Sequence, residues 1–414
     1  MRKINDPYQN FKLITLSNGF KIYYLESNKP WIKGSFIVNV GAKDDPIGKS
    51  GLVHFIEHLT HENHNELSFQ EILDFFEDEG GYIQASTSLL YTKFSFQIRN
   101  DYKKIDGAVG IFEKLLLNES IGYNFEKQKN IINQERKEIA SKKQLMYSDL
   151  CMKFLFKETY LENSQHPIGS HEEFNKISVE DCNQIYQNFY NPKNMFLVIV
   201  GNVSKFISLL EKSKFGTLNK GEKIIGNFSV NFLDTKKVNY LNFTIKNYPF
   251  LKKNVSLCFN LKLSKKQEKL AYLHKLILNK ILFSKFREEL NVNYGFATYV
   301  DINLKFISYE IRFPINILDH NKVIEIIFDC LKSINSLLKE KIEIEIEKMK
   351  NELIMTDESL TDILNDSIRS LILYQKIITN EEHLNLLGEL NYNKLIKFNK
   401  FLLNKANRYL IFIK

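Results

Sequence analysis

Twice along its 414 residues the chain runs through one order of patterns: alternating segments that read as strands, then helical segments, then a single apolar closing strand. A single hydrophobic core stops growing at about 250 to 300 residues, so a chain this long needs two. The repeated order suggests that they are copies of one arrangement, although no residue-level repeat is visible. From Phe215 to Asn227 the sequence FGTLNKGEKIIGN is rich in Gly, Asn and Lys and lacks an apolar period, as a linker does. The expected domains are residues 1–217 and 228–414.

In the first half, KLITLSNGFKIYYL (12–25) alternates around a Ser-Asn-Gly turn and reads as two strands, with a third at 34–40. A loop from Gly41 to Gly51 leads into SGLVHFIEHLTHEN, where Leu52, Phe55, Ile56 and Leu59 recur at helical spacing. A Ser-capped helix follows in SFQEILDFFEDEGG, then a strand pair over 82–98 and a helix over 104–118. The segment 125–157 reads as one long helix with Ile131, Ile132 and Ile139 on its apolar stripe. A capped helix at 178–190, a turn at 191–194 and the buried strand MFLVIVGNV close the half. The second half repeats the order through VNYLNFTIKN, NVSLCFNLKL, YGFATYV, FISYEIRF and YLIFIK.

Composition narrows the function classes. A formal charge of +8 could suit nucleic acid, but Lys and Arg alternate with Asp and Glu, as in KEKIEIEIEKMKNE, so a solvated mixed-charge surface is expected and no nucleic-acid partner. No apolar run approaches the roughly 20 residues that span a bilayer, and MRKINDPYQNFKL has no apolar signal core, so a soluble, cytoplasmic chain is expected. Cys151, Cys182, Cys258 and Cys330 form no CxxC pair and are expected as buried thiols. IGKSG contains part of a phosphate-loop pattern, but the earlier glycine that pattern requires is Lys43 here.

The chemistry is concentrated in HFIEH. Residues four apart share a helix face, so His54 and His58 can point two imidazoles at one ion, with Glu57 beside them. Two neutral nitrogens can hold zinc, and a neighbouring carboxylate can take a proton from the water the metal acidifies. With nine histidines present, chance produces H-x-x-E-H in roughly one such chain in fifty to a hundred, so the case rests on what accompanies it. H-x-x-E-H is the inverzincin signature.

What accompanies it resembles the insulinase and pitrilysin family of metallopeptidases: GAKDDPIGKSGLVHFIEH, then EKQKNIINQERKEIA, His166 in HPIG, and FYNPKNMFLVIVGNV, in that family's order. The resemblance implies one zinc per chain and a third ligand on the charged helix. Glu135 stands 77 residues after His58, the separation that family uses, and Glu138 one turn on is the local competitor. Gln128 occupies a position where the family carries an acidic residue, which removes a charge from behind the ligands. His166 is expected to pack a loop. Substrate would add as a strand at a sheet edge along Gln84, Ala85 and Ser86, with Gln84 replacing the family's asparagine. FREELNVNYGF resembles the family's arginine and tyrosine pair, here Arg287 and Tyr294, which would clamp a carbonyl and donate to the oxyanion. An ordinary helix-end arginine and strand tyrosine would look the same.

These patterns imply an α+β chain of two homologous domains, each a mixed, mainly antiparallel sheet with helices on one face. The first domain would carry the metal and the second the substrate contacts. The expected activity is zinc-dependent hydrolysis of unfolded peptides or of a precursor's leader. At this length the family's members work in pairs, so a homodimer or a heterodimer with a related chain is expected. The alternative is a peptidase-like, non-catalytic subunit that supports an active partner.

Overall fold

The structure is a computed structural model that describes residues 6–61, 67–141, 167–219, 221–222, 240–243, 253–262, 264–290, 297–302, 306–315, 320–355, 359–404 and 409–413. The chain forms two compact units, and they are not simple halves. The N-terminal unit holds residues 7–231 together with 358–377, and the C-terminal unit holds 1–6, 232–357 and 378–414.

The N-terminal unit is built on six strands: β1 (Lys12–Thr15), β2 (Lys21–Glu26), β3 (Trp31–Val38), β4 (Tyr82–Thr87), β5 (Thr92–Arg99) and β6 (Met195–Gly201). They lie in the order β1-β2-β6-β3-β5-β4. All pairs are antiparallel except β2 with β6, where Lys21 stands beside Phe196. The β1–β2 turn uses Gly19 at φ +91°, a conformation only glycine adopts cheaply, and Asn18 beside it donates to the carbonyls of Phe215 and Leu218.

Helices α1 (Leu52–His61), α2 (Phe69–Glu77), α3 (Tyr102–Leu116), α4 (Phe125–Ser141), α5 (His171–Phe174), α6 (Val179–Phe189), α7 (Ser204–Lys212) and α8 (Lys214–Thr217) accompany this sheet. Phe20, Ile22, Phe36, Leu197 and Ile199 on one sheet face meet Phe55, Ile105, Phe112, Tyr186 and Phe206 from the helices in one core. α3 starts two residues before its expected position because the Asp101 carboxylate accepts from the amides of Lys103 and Lys104. The helix expected over 125–157 is described to Ser141, and His166 and Cys151 lie outside the described residues. Cys182 and Cys330 are buried thiols.

The C-terminal unit carries β7 (Tyr240–Phe243), β8 (Lys253–Lys262), β9 (Ala297–Ile302), β10 (Phe306–Ile315) and β11 (Tyr409–Ile413) in the order β7-β11-β8-β10-β9. Its last strand, β11, lies parallel to the first, β7, and antiparallel to β8, as β6 lies parallel to β2 and antiparallel to β3. The common topology β2-β6-β3-β5-β4 therefore recurs strand for strand. Helices α9 (Lys265–Leu290), α10 (His320–Ile334) and α11 (Lys339–Met355) belong here, followed by α12 (Leu360–Tyr374), α13 (Asn380–Gly388) and α14 (Tyr392–Leu403). Leu273, Leu278, Leu331, Ile342, Leu395 and Leu402 pack with Ile307, Tyr309 and Ile311 of β10.

α12 departs from the linear order, because it belongs to the N-terminal unit. Its Ile363, Leu364, Ile368 and Leu371 pack on Ile37, Phe196, Val198 and Val200, the sheet face opposite the main helices. This covering explains why MFLVIVG is apolar at every position rather than at alternate ones: β6 is buried on both faces. The N-terminal sheet thus has helices on both faces where one was expected.

Candidate metal centre

α1 is set in place by its first turn. Gly51 sits at φ +92°, and a Cβ there would lie 2.6 Å from the Ile168 carbonyl oxygen, so only glycine lets the loop enter the helix at this point. The Asp45 carboxylate accepts from the amides of Gly51 (2.7 Å) and Val53 (2.8 Å), donors that the helix itself leaves unpaired. Burial pushes the Asp45 carboxyl up to about 7, against the pull of those two bonds. Leu52, Phe55, Ile56 and Leu59 then point into the core as their spacing indicates. That leaves His54, Glu57 and His58 on the helix's other aspect, with the two imidazole centroids 4.7 Å apart.

α4 supplies the third group. Arg136, buried, donates to the carbonyl oxygens of Gly169 and Ile168 and to Asn133, and its guanidinium lies over the Phe174 ring. These contacts fix the rotation of α4, and the adjacent Glu135 faces α1. Its Oε2 lies 3.7 Å from His58 Nε2. His54, His58 and Glu135 each offer one ligand atom, all within 4.8 Å of one another, a group that could hold a metal ion. Around a tetrahedral ion with bonds of about 2.0–2.1 Å, ligand atoms stand roughly 3.3 Å apart, so a small inward movement closes the set. Two neutral nitrogens with one carboxylate oxygen suit zinc in kind as well as in spacing. Glu138 is exposed and outside this group.

The surroundings favour a neutral imidazole at His58. Burial lowers its pKa, and the nearby Glu135 carboxylate and Gln128 side chain oppose that shift without reversing it. Gln128 is only 3% exposed, and its side chain is hydrogen-bonded to His58. Glu57 is buried too. Its Oε2 stands 3.9 Å from His54 Nε2 and accepts a hydrogen bond of 2.9 Å from Thr87 Oγ1.

Gln84, Ala85 and Ser86 lie on β4, the edge strand of the sheet, with Gln84 and Ser86 exposed and Ala85 packed against the core. Arg287 is an exposed residue in the last turn of α9, in the C-terminal unit, and Tyr294 lies outside the described residues. Thr87 is the site residue that sequence reasoning passed over. It follows the flagged segment directly, but its bond to Glu57 spans 30 positions and has no local pattern.

Two family models match the chain: "Insulinase (Peptidase family M16)" over residues 25–166 and "Peptidase M16 inactive domain" over 176–353. Among curated relatives, the zinc protease PqqE of Helicobacter pylori is 26% identical over 51% of this chain and 48% of its own length. The zinc protease YmxG of Bacillus subtilis, whose role is uncharacterized, is 27% identical over 52% of each. The chain thus spans about half the length of these relatives. A protease of Helicobacter pylori of known crystal structure superposes with a TM-score of 0.80, covering 98% of this chain and 99% of its own at 17% identity. That likeness is one of fold.

Proposed function

The chain belongs to the insulinase family, peptidase family M16, and on that premise we propose that it is a zinc-dependent endopeptidase. The observation that carries the reading is the convergence of His54, His58 and Glu135 within 4.8 Å, with the Glu57 carboxylate beside them. Those three residues would hold one zinc ion. When bound, zinc polarises the scissile carbonyl and lowers the pKa of a water toward about 7. Glu57 takes the proton of the attacking water and returns it to the departing amine. Its burial keeps competing solvent away from that transfer.

An extended peptide would lie along β4 beside Gln84, Ala85 and Ser86, held by backbone bonds that tolerate many sequences. By the resemblance, Arg287 and Tyr294 would supply a carbonyl clamp and an oxyanion donor. The substrate class is unfolded peptide or a precursor's leader, and the working form is a dimer with an identical or a related chain.

The test is zinc content together with cleavage of a mixed quenched-peptide library, for wild type and Glu57→Gln in parallel. One zinc per chain in both proteins, with hydrolysis by the wild type alone, is the expected result. Equal hydrolysis by Glu57→Gln removes Glu57 from the mechanism. A wild type that holds zinc and cleaves nothing points to a missing partner chain or a dedicated precursor, and a wild type without zinc overturns the assignment of His54, His58 and Glu135.

A further inference from the structure

The Glu57 carboxylate is reached from the edge strand as well as from its own helix. Thr87 is the last residue of β4, and its hydroxyl donates to Glu57 Oε2 at 2.9 Å. A glutamate side chain has three rotatable torsions, and a base that must meet a water at one point needs them held. A donor on one carboxylate oxygen does this.

The donor is itself fixed. Thr87 pairs in register with Thr92 across the β4–β5 hairpin. The hairpin turn is closed by Ser88, whose hydroxyl donates to the Tyr91 carbonyl and accepts from the amides of Leu90 and Tyr91. The amides of Ala42 and Lys43, in the loop that leads into α1, donate to the carbonyls of Ser88 and Leu89 at 3.0 and 3.1 Å. The turn after β4 and the first part of the loop that leads to α1 are therefore tied together. A β-branched residue suits the position, because its χ1 is restricted.

We infer that Thr87 is a positioning residue: it holds Glu57 in the orientation needed for proton transfer and links that orientation to the edge strand. The inference rests on the peptidase reading for its consequence in turnover, but the hydroxyl-to-carboxylate link can be tested without it. Thr87→Val removes the donor and keeps the branched shape, whereas Thr87→Ser keeps the donor.

In steady-state cleavage by the zinc-loaded protein, Thr87→Val lowers kcat about ten- to a hundredfold with KM within twofold of wild type, and Thr87→Ser retains most of kcat. Zinc content is unchanged in both. In the metal-free protein, Thr87→Val lowers the melting temperature in the wild-type background and by less in Glu57→Ala, because the lost bond is shared. Full kcat in Thr87→Val, or equal losses in the Val and Ser variants, overturns the inference, as does an additive melting cycle. Should the wild type cleave nothing, the melting cycle alone decides the link.

Discussion

At the scale of single residues, the parts of the candidate centre that are close in sequence were legible and the parts that are close only in space were not. His54, Glu57 and His58 can be read directly, because four residues of helix carry two imidazoles to one face whatever surrounds them. Glu135 needed a resemblance, since nothing local distinguishes it from Glu138; the structure separates them through Arg136, whose bonds to Gly169 and Ile168 set the helix's rotation. Thr87 needed the tertiary structure outright. Gln128 shows what a residue behind a ligand can do. It lies against His58 with almost no exposure, and its side chain is hydrogen-bonded to that imidazole. Gln128→Leu removes a polar partner from a ligand and is expected to weaken zinc about tenfold, read by competition with a chromogenic chelator. An unchanged affinity would mean that Gln128 merely fills space.

At the scale of elements, Ser68 and Ser178 each cap the helix that their position announces, whereas the Asp101 cap, which starts α3 two residues early, was not read from the sequence. What the pattern could not show is the polar network inside the C-terminal unit. His274 on α9 is fully buried. Its Nδ1 lies 3.0 Å from the Tyr309 hydroxyl and its Nε2 2.9 Å from Asn399 Oδ1. The Asn399 amide donates to Leu331 O and Asn335 Oδ1, so its oxygen is the acceptor and the His274 proton sits on Nε2. Burial pulls the His274 pKa down to about 4, although its bond to Asn399 favours the charged form. The folded value lies below the unfolded 6.5, so the folded chain binds fewer protons in that window. The stabilisation is complete above pH 6.5 and is lost as pH falls toward 4, by about 3 kcal/mol at the low end. Urea midpoints measured between pH 7 and 4.5 should fall along this course, and His274→Gln should flatten it; an equally steep fall in the variant assigns the dependence to other groups, such as His61, whose pKa burial also lowers.

At the scale of the whole molecule, the two sheets share one strand order, and this duplication was visible in the sequence only as a succession of element types. No residue-level repeat is visible, but β6 lies parallel to β2 as β11 lies parallel to β7. The sequence also gave no sign that α12 leaves its neighbours for the other unit, since an amphipathic helix does not state which apolar face it will cover. A chain ending at residue 231 is expected to aggregate when expressed alone, because Ile37, Phe196, Val198 and Val200 would face water. Light scattering should show this, and fusing residues 358–377 through a flexible linker should relieve it; a monodisperse short chain would mean that the uncovered face is tolerated. The same connection has a cost in time. β6 ends at Gly201 and α12 begins at Leu360, so roughly 160 further residues must be translated before the cover exists. At about 5–20 residues per second, the nascent sheet waits on the order of ten to thirty seconds with one apolar side uncovered.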